Sequence, residues 1–109
     1  MRRLVQLQAI TRQNRHEVNR FIFDTVSSLG GWIDDVQMYS NLMSTIRMTL
    51  PLGRYGEFAE ALTDSGVPVD LPEHLAVSSE DTREQPASLQ VTFVHNEPDL
   101  RREIPAVPG

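Results

Sequence analysis

Cysteine and lysine are both absent from this chain of 109 residues. Without cysteine there is no disulfide framework, no thiolate nucleophile and no thiolate-ligated zinc. No apolar run approaches the roughly 20 residues that a membrane span needs. The opening Met1-Arg2-Arg3-Leu4-Val5-Gln6 lacks the apolar stretch of a secretory signal, so a bacterial-type cytoplasm is the expected compartment. No G-x-S-x-G elbow, phosphate-binding loop or HExxH pair occurs, and enzymatic activity has no positive signal.

What is present fits one globular domain spanning 1–109. Apolar residues make up 39% and charged residues 23%, and mean hydropathy is -0.32. All ten basic residues are arginine and fifteen residues are acidic, for a net charge of -5. That balance argues against nucleic acid as a general partner. Arg2, Arg3, Arg12, Arg15 and Arg20 crowd the first twenty residues with only Glu17 opposing them, so the acidity lies further along.

Residues 3–11 alternate as a strand does, with Val5, Leu7 and Ala9 on one face. Asn14 followed by Glu17 reads as a capping box, and Val18, Phe21, Ile22, Val26 and Leu29 form a helical stripe that Gly30-Gly31 ends. Two strands are expected at Trp32–Ser40 and Ser44–Pro51, and a second helix at about 53–65 carries Tyr55, Phe58, Ala59 and Leu62 on one face. Residues 67–87 are broken by proline and polar, which predicts a surface loop. Leu89–Val94 gives a last strand, and residues 98–109 a proline-rich tail.

The order β-α-β-β-α-β predicts an α+β, ferredoxin-like sandwich: a four-stranded antiparallel sheet with two helices on one face. Apolar positions remain for the other face, either Trp32, Val36 and Met38 or Ile33 and Tyr39, which predicts a homodimer through that face or through a sheet edge.

This order, with Leu29-Gly30-Gly31-Trp32-Ile33-Asp34-Asp35 leading into the second strand, resembles the ACT domain. The likeness covers residues 3–66 and 88–95. It implies a small regulatory unit, usually dimeric, that binds an amino acid or another small effector. The family commonly carries a glycine where its first helix begins; here Gln13-Asn14-Arg15-His16-Glu17 has none.

Three constellations could carry chemistry. Arg12 and Arg15 flank a helix start whose first amides are unpaired, an arrangement suited to a carboxylate or phosphate, or simply to solvent. Arg12, Asn14 and Arg15 are therefore the expected carboxylate site, with Asp34 or Asp35 meeting an ammonium. Adjacent strand residues point to opposite faces, so Asp34 and Asp35 converge only if a bulge re-aims one of them. His95, Glu97 and Asp99 would share one side of an extended segment, a weak metal or acid–base pattern that nothing elsewhere completes. Around the hairpin, Tyr39, Asn41, Met43 and Arg47 either line a pocket or pack an interface.

The leading expectation is a standalone ACT-like domain for an amino acid or similar anionic small molecule, with no cofactor and no metal. A ligand-free interaction module is the alternative, and a small ferredoxin-like enzyme centred on His95 is the third.

Overall fold

A computed structural model describes residues 4–40, 42–75 and 80–94. Its elements run β1 (Val5–Thr11), α1 (Arg15–Ser28), β2 (Trp32–Ser40), β3 (Met43–Pro51), a 3-10 turn (Leu52–Arg54), α2 (Tyr55–Asp64), a second short turn (Glu73–Leu75) and β4 (Glu84–Phe93). The α+β class, the four strands and the two helices agree with the sequence reading.

Local signals account for each helix. Asn14 caps α1, its Oδ1 accepting the Glu17 amide at 3.1 Å, and Val18, Ile22 and Val26 are buried at successive turns. Phe21, expected in that stripe, is partly exposed, and Asn19 and Thr25 are buried in its stead. Both helices end in the same pair of bonds. Gly31 and Val67 donate their amides to Val26 and Leu62 carbonyls, while Gly30 and Gly66, at φ +87° and +97°, donate to Ser27 and Thr63. That turn needs a left-handed residue at the second position, which glycine supplies without a Cβ penalty.

The sheet is mixed, and this corrects the antiparallel arrangement expected above. Strand order is β1-β4-β3-β2, with β1 and β4 parallel and the other two pairs antiparallel. The cause is the path between α2 and β4. α2 leaves the end of β3 and travels toward the Thr11 end of the sheet, where Thr11 and Gln13 bond to Gly66 and Ser65. The next segment returns along the outer edge of β1, where Val69 bridges Ala9 antiparallel. Gly53 and Leu52 then donate to the Asp81 and Arg83 carbonyls, so β4 starts beside the end of β3, with Glu84 opposite Pro51. β3 and β4 thus form a hairpin whose long loop contains α2. A direct crossover would have reversed β4.

Residues 67–87 are accordingly more than a surface loop. Val67, Val69 and Leu75 are buried in the core, and Glu84 to Ala87 belong to β4. Pro86 is tolerated inside a central strand because it lies opposite Thr49, one residue before the register of β1 begins at Val5 and Ala87. There β4 has a neighbour on one side only, so a missing amide costs no β1 bond.

One apolar core joins both helices to a single sheet face: Val5, Leu7 and Ala9; Ile46, Met48 and Leu50; Ala87, Leu89, Val91 and Phe93. Phe58 and Leu62 of α2 are fully buried against it, each contributing about 1.5–3 kcal/mol by transfer from water. Among the described residues the opposite sheet face carries no helix, and its side chains are mainly polar, with Ile10 and Trp32 as exposed apolar exceptions.

Two glycines separate steric need from chance. A Cβ on Gly31 would lie 2.2 Å from the Thr49 carbonyl oxygen, whereas one on Gly56 would meet nothing within 4 Å. Gly31→Ala is expected to destabilise the fold by about 1–3 kcal/mol. Gly56→Ala, in the first turn of α2, is expected to raise stability by about 0.4–1 kcal/mol. Urea unfolding of both variants checks the pair, and equal effects would contradict it.

Candidate functional site on the open sheet face

The expected carboxylate site at the start of α1 does not assemble with its expected ammonium partners. β1 and β2 are opposite edges of the sheet and run in the same direction. Arg12, Asn14 and Arg15 follow the end of β1, whereas Asp34 and Asp35 lie at the beginning of β2. From strand rise and spacing the two groups stand on the order of 25 Å apart, at diagonal corners.

The helix start has been put to another use. The Asn14 side chain is spent on the cap. Gln13 Nε2 donates to the Ser65 carbonyl at 2.8 Å, and Thr11 Oγ1 donates to the Gly66 carbonyl at 3.2 Å. These bonds dock the loop onto the C-terminal turn of α2, whose unpaired carbonyls are the negative end of that helix. Arg12 is exposed and Arg15 half-buried. His16, Glu17 and Arg20 line a shallow dent on α1, remote from both aspartates.

At the other corner the bulge that the Asp34-Asp35 pair required is present. Ile33 lies opposite Met48 and Asp35 opposite Arg47, which leaves Asp34 as the extra residue. Its carboxylate accepts the Thr49 hydroxyl at 2.7 Å and the Trp32 indole N–H at 2.9 Å. The bulge also resolves the two apolar sets considered for β2. Ile33, Val36 and Met38 lie in register with core residues Met48, Ile46 and Ser44, while Trp32, Asp35 and Gln37 match open-face residues Thr49, Arg47 and Thr45.

Asp34 and Asp35 thereby line the same open-face hollow, of about 380 Å³, with Leu4, Arg47 and Pro86. It adjoins a second hollow of about 350 Å³, where Asp35 and Arg47 are joined by Gln6, Gln37, Tyr39, Thr45 and Ser88. Arg47 and Asp35 are direct neighbours across the two strands, yet among the described residues neither side chain makes an ion pair or a hydrogen bond. The arrangement therefore presents a guanidinium and a carboxylate side by side, with amide and hydroxyl groups around them and apolar Leu4 and Pro86 at one margin.

Tyr39 and Arg47, singled out from the hairpin sequence, do line this face. Met43 is half-buried at the far end of β3, and Asn41 lies outside the described residues. Gln6, Gln37, Thr45 and Ser88 were missed. Their only sequence signal is that each occupies the polar phase of a strand whose other phase is buried. His95, Glu97 and Asp99 lie outside the described residues, and His74 falls in the turn Glu73–Leu75. Among the described residues no cluster of three histidine or acidic side chains could hold a metal ion, and no helix is long and apolar enough to cross a membrane. No family model, curated protein or solved structure matches the chain.

Beneath the Asp34 corner, the Tyr55 hydroxyl donates to the Gln85 carbonyl inside the core. Burial pushes its pKa well above the ordinary value of 10.0; the Leu50 backbone opposes this in part, and the negative charge of Asp34 adds a smaller rise. A raised acid pKa in the folded state means that folding favours the neutral phenol. This contribution is complete below pH 10 and is lost as pH rises beyond it. Stability measured between pH 8 and 12 is expected to fall at the alkaline end. In Tyr55→Phe that fall should shrink, with a uniform loss of about 1 kcal/mol from the missing bond. Parallel pH curves for the two proteins would refute the assignment.

Proposed function

We propose that the chain is a small binding domain for an amino acid or a similar carboxylate-bearing small molecule, held on the open sheet face. The observation that supports this reading is the adjacent, mutually unpaired Arg47 and Asp35 within a hollow lined by amides and hydroxyls. A free amino acid carries its carboxylate and ammonium on one carbon, and cross-strand neighbours are about 5 Å apart at their Cβ atoms. Arg47 would take the carboxylate through two parallel N–H···O bonds, the geometry for which guanidinium is suited. Asp35 would take the ammonium, with Asp34 close by but already committed to Thr49 and Trp32. Gln6, Gln37 and Ser88 would bond remaining polar atoms, and Leu4 and Pro86 would meet an apolar side chain.

The reading keeps the ligand class that the ACT resemblance implied and moves it to different residues. Arg12, Asn14 and Arg15 have no part in it. Regulation would follow from the ligand favouring one conformational or assembly state over another.

Thermal unfolding against a panel of amino acids, other carboxylates and phosphate tests the proposal. A binder at about 100 times its Kd should add about 2.7 kcal/mol, a Tm rise of several degrees for a domain of this size. Arg47→Ala and Asp35→Asn should each abolish the rise, while Arg12→Ala/Arg15→Ala should leave it intact. A flat panel, or a rise that survives Arg47→Ala, would reject the site.

A further inference from the structure

The outer edge of β2 is the second feature that the fold leaves open. Among the described residues no strand or loop pairs with it, whereas the opposite edge of the sheet, on β1, is bridged by Val69. Seven of the nine β2 residues are exposed. Of the seven large apolar side chains exposed among the described residues, Trp32, Met38 and Tyr39 lie on β2 and Leu42 in its turn to β3. An edge of this kind offers free backbone donors and acceptors to another strand. β2 has neither of the common edge protections of lysine or proline. Its two bulges, between Ile33 and Asp35 and between Met38 and Ser40, leave Asp35–Met38 regular.

We propose that this edge is the docking surface for a second copy of the chain, which pairs its own β2 antiparallel about a two-fold axis beside Gln37. The side-chain pattern selects that partner and that register. A two-fold axis perpendicular to the sheet keeps every residue on its own face, so one residue must meet its own copy. Centred on Gln37, apolar Val36 meets Met38 on the helix-side face, and on the open face Asp35 falls opposite Tyr39, the first residue beyond the regular stretch, whose hydroxyl donates to Gln37 Oε1 of its own chain. Centred on Asp35, two carboxylates would collide. Centred on Val36 or Met38, one of the two meets its own copy and the other falls opposite Asp34 or Ser40, so a single apolar pair replaces two. Like charges directly opposite destabilise a strand pair, and apolar pairs support it. The product is a continuous eight-stranded sheet. Because the β1 edge is bridged by Val69, growth stops at two chains.

Sedimentation of the full chain without ligand tests this, so its outcome is separate from that of the binding reading. The expected species is a dimer, twice 12.3 kDa, at tens of micromolar. Gln37 is exposed, so Gln37→Lys and Gln37→Glu should each fold, verified by circular dichroism, yet place like charges opposite each other. Each should weaken the dimer by about tenfold or more. Mixing the two variants should restore it. Tyr39→Lys should retain the dimer, because its ammonium meets Asp35. A monomeric wild-type chain, larger assemblies, dimers indifferent to both Gln37 variants, a mixture that fails to re-associate, or loss of the dimer in Tyr39→Lys would overturn the proposal.

Discussion

β4 lies between β1 and β3, pairing with the full length of Val5–Thr11 on one side and of Met43–Pro51 on the other. β1 therefore joins the sheet only through β4, although the two are separated by most of the chain. Both the core and the open face rest on that pairing. Without it, the β2–β3 hairpin and β1 would each lack the neighbour that aligns their buried residues. Such long-range parallel pairing carries a loop-closure cost before its contacts form. The apolar alternation of Ala87, Leu89, Val91 and Phe93 supplies the burial that offsets this cost.

The bulge at Asp34 is the second constraint, and it acts on chemistry more than on stability. A regular strand would have separated Asp34 from Asp35 across the sheet. One extra residue turns both toward Arg47, while Thr49 and Trp32 hold Asp34 in place. The side chains of Asp35 and Arg47 are left side by side without bonding to each other, the arrangement on which the proposed zwitterion site rests. The same bulge, with its counterpart near Tyr39, confines the regular part of the edge to Asp35–Met38.

Most secondary structure was legible because it depends on neighbours a few residues away. The Asn14 cap, the Gly30 and Gly66 stops, the bounds of β2 and the buried face of α2 all follow from local spacing. Residues 84–87 read as loop because proline breaks a strand wherever a neighbour needs its amide, and the start of β1 opposite Ala87, after Pro86, is a tertiary fact. Strand order failed for a related reason. Alternation reveals which face of a strand is buried, but it is the same whether the neighbour is parallel or antiparallel. The direction of β4 depends on the path that leaves α2, where Val69 bridges Ala9 of β1, and the buried Val67, Val69 and Leu75 are spaced too irregularly to announce it.

The expected site residues are split between two corners of the sheet. A helix N-terminus attracts anions, which points to Arg12 and Arg15 locally, but the fold places them at the opposite corner of the sheet from Asp34 and Asp35. Arg47 was noticed only as part of a hairpin, and Gln6 and Ser88 come from strands distant in sequence. By itself the sequence determined the helices, the approximate strands, the class of fold and the composition of its apolar core, since propensity, capping and periodicity act over a few residues. Tertiary structure alone decided the strand order, the convergence of Asp34 and Asp35 on one face and their meeting with Arg47. Those depend on register between strands and on one inserted residue, and a strand's own residues do not encode which partner lies beside it.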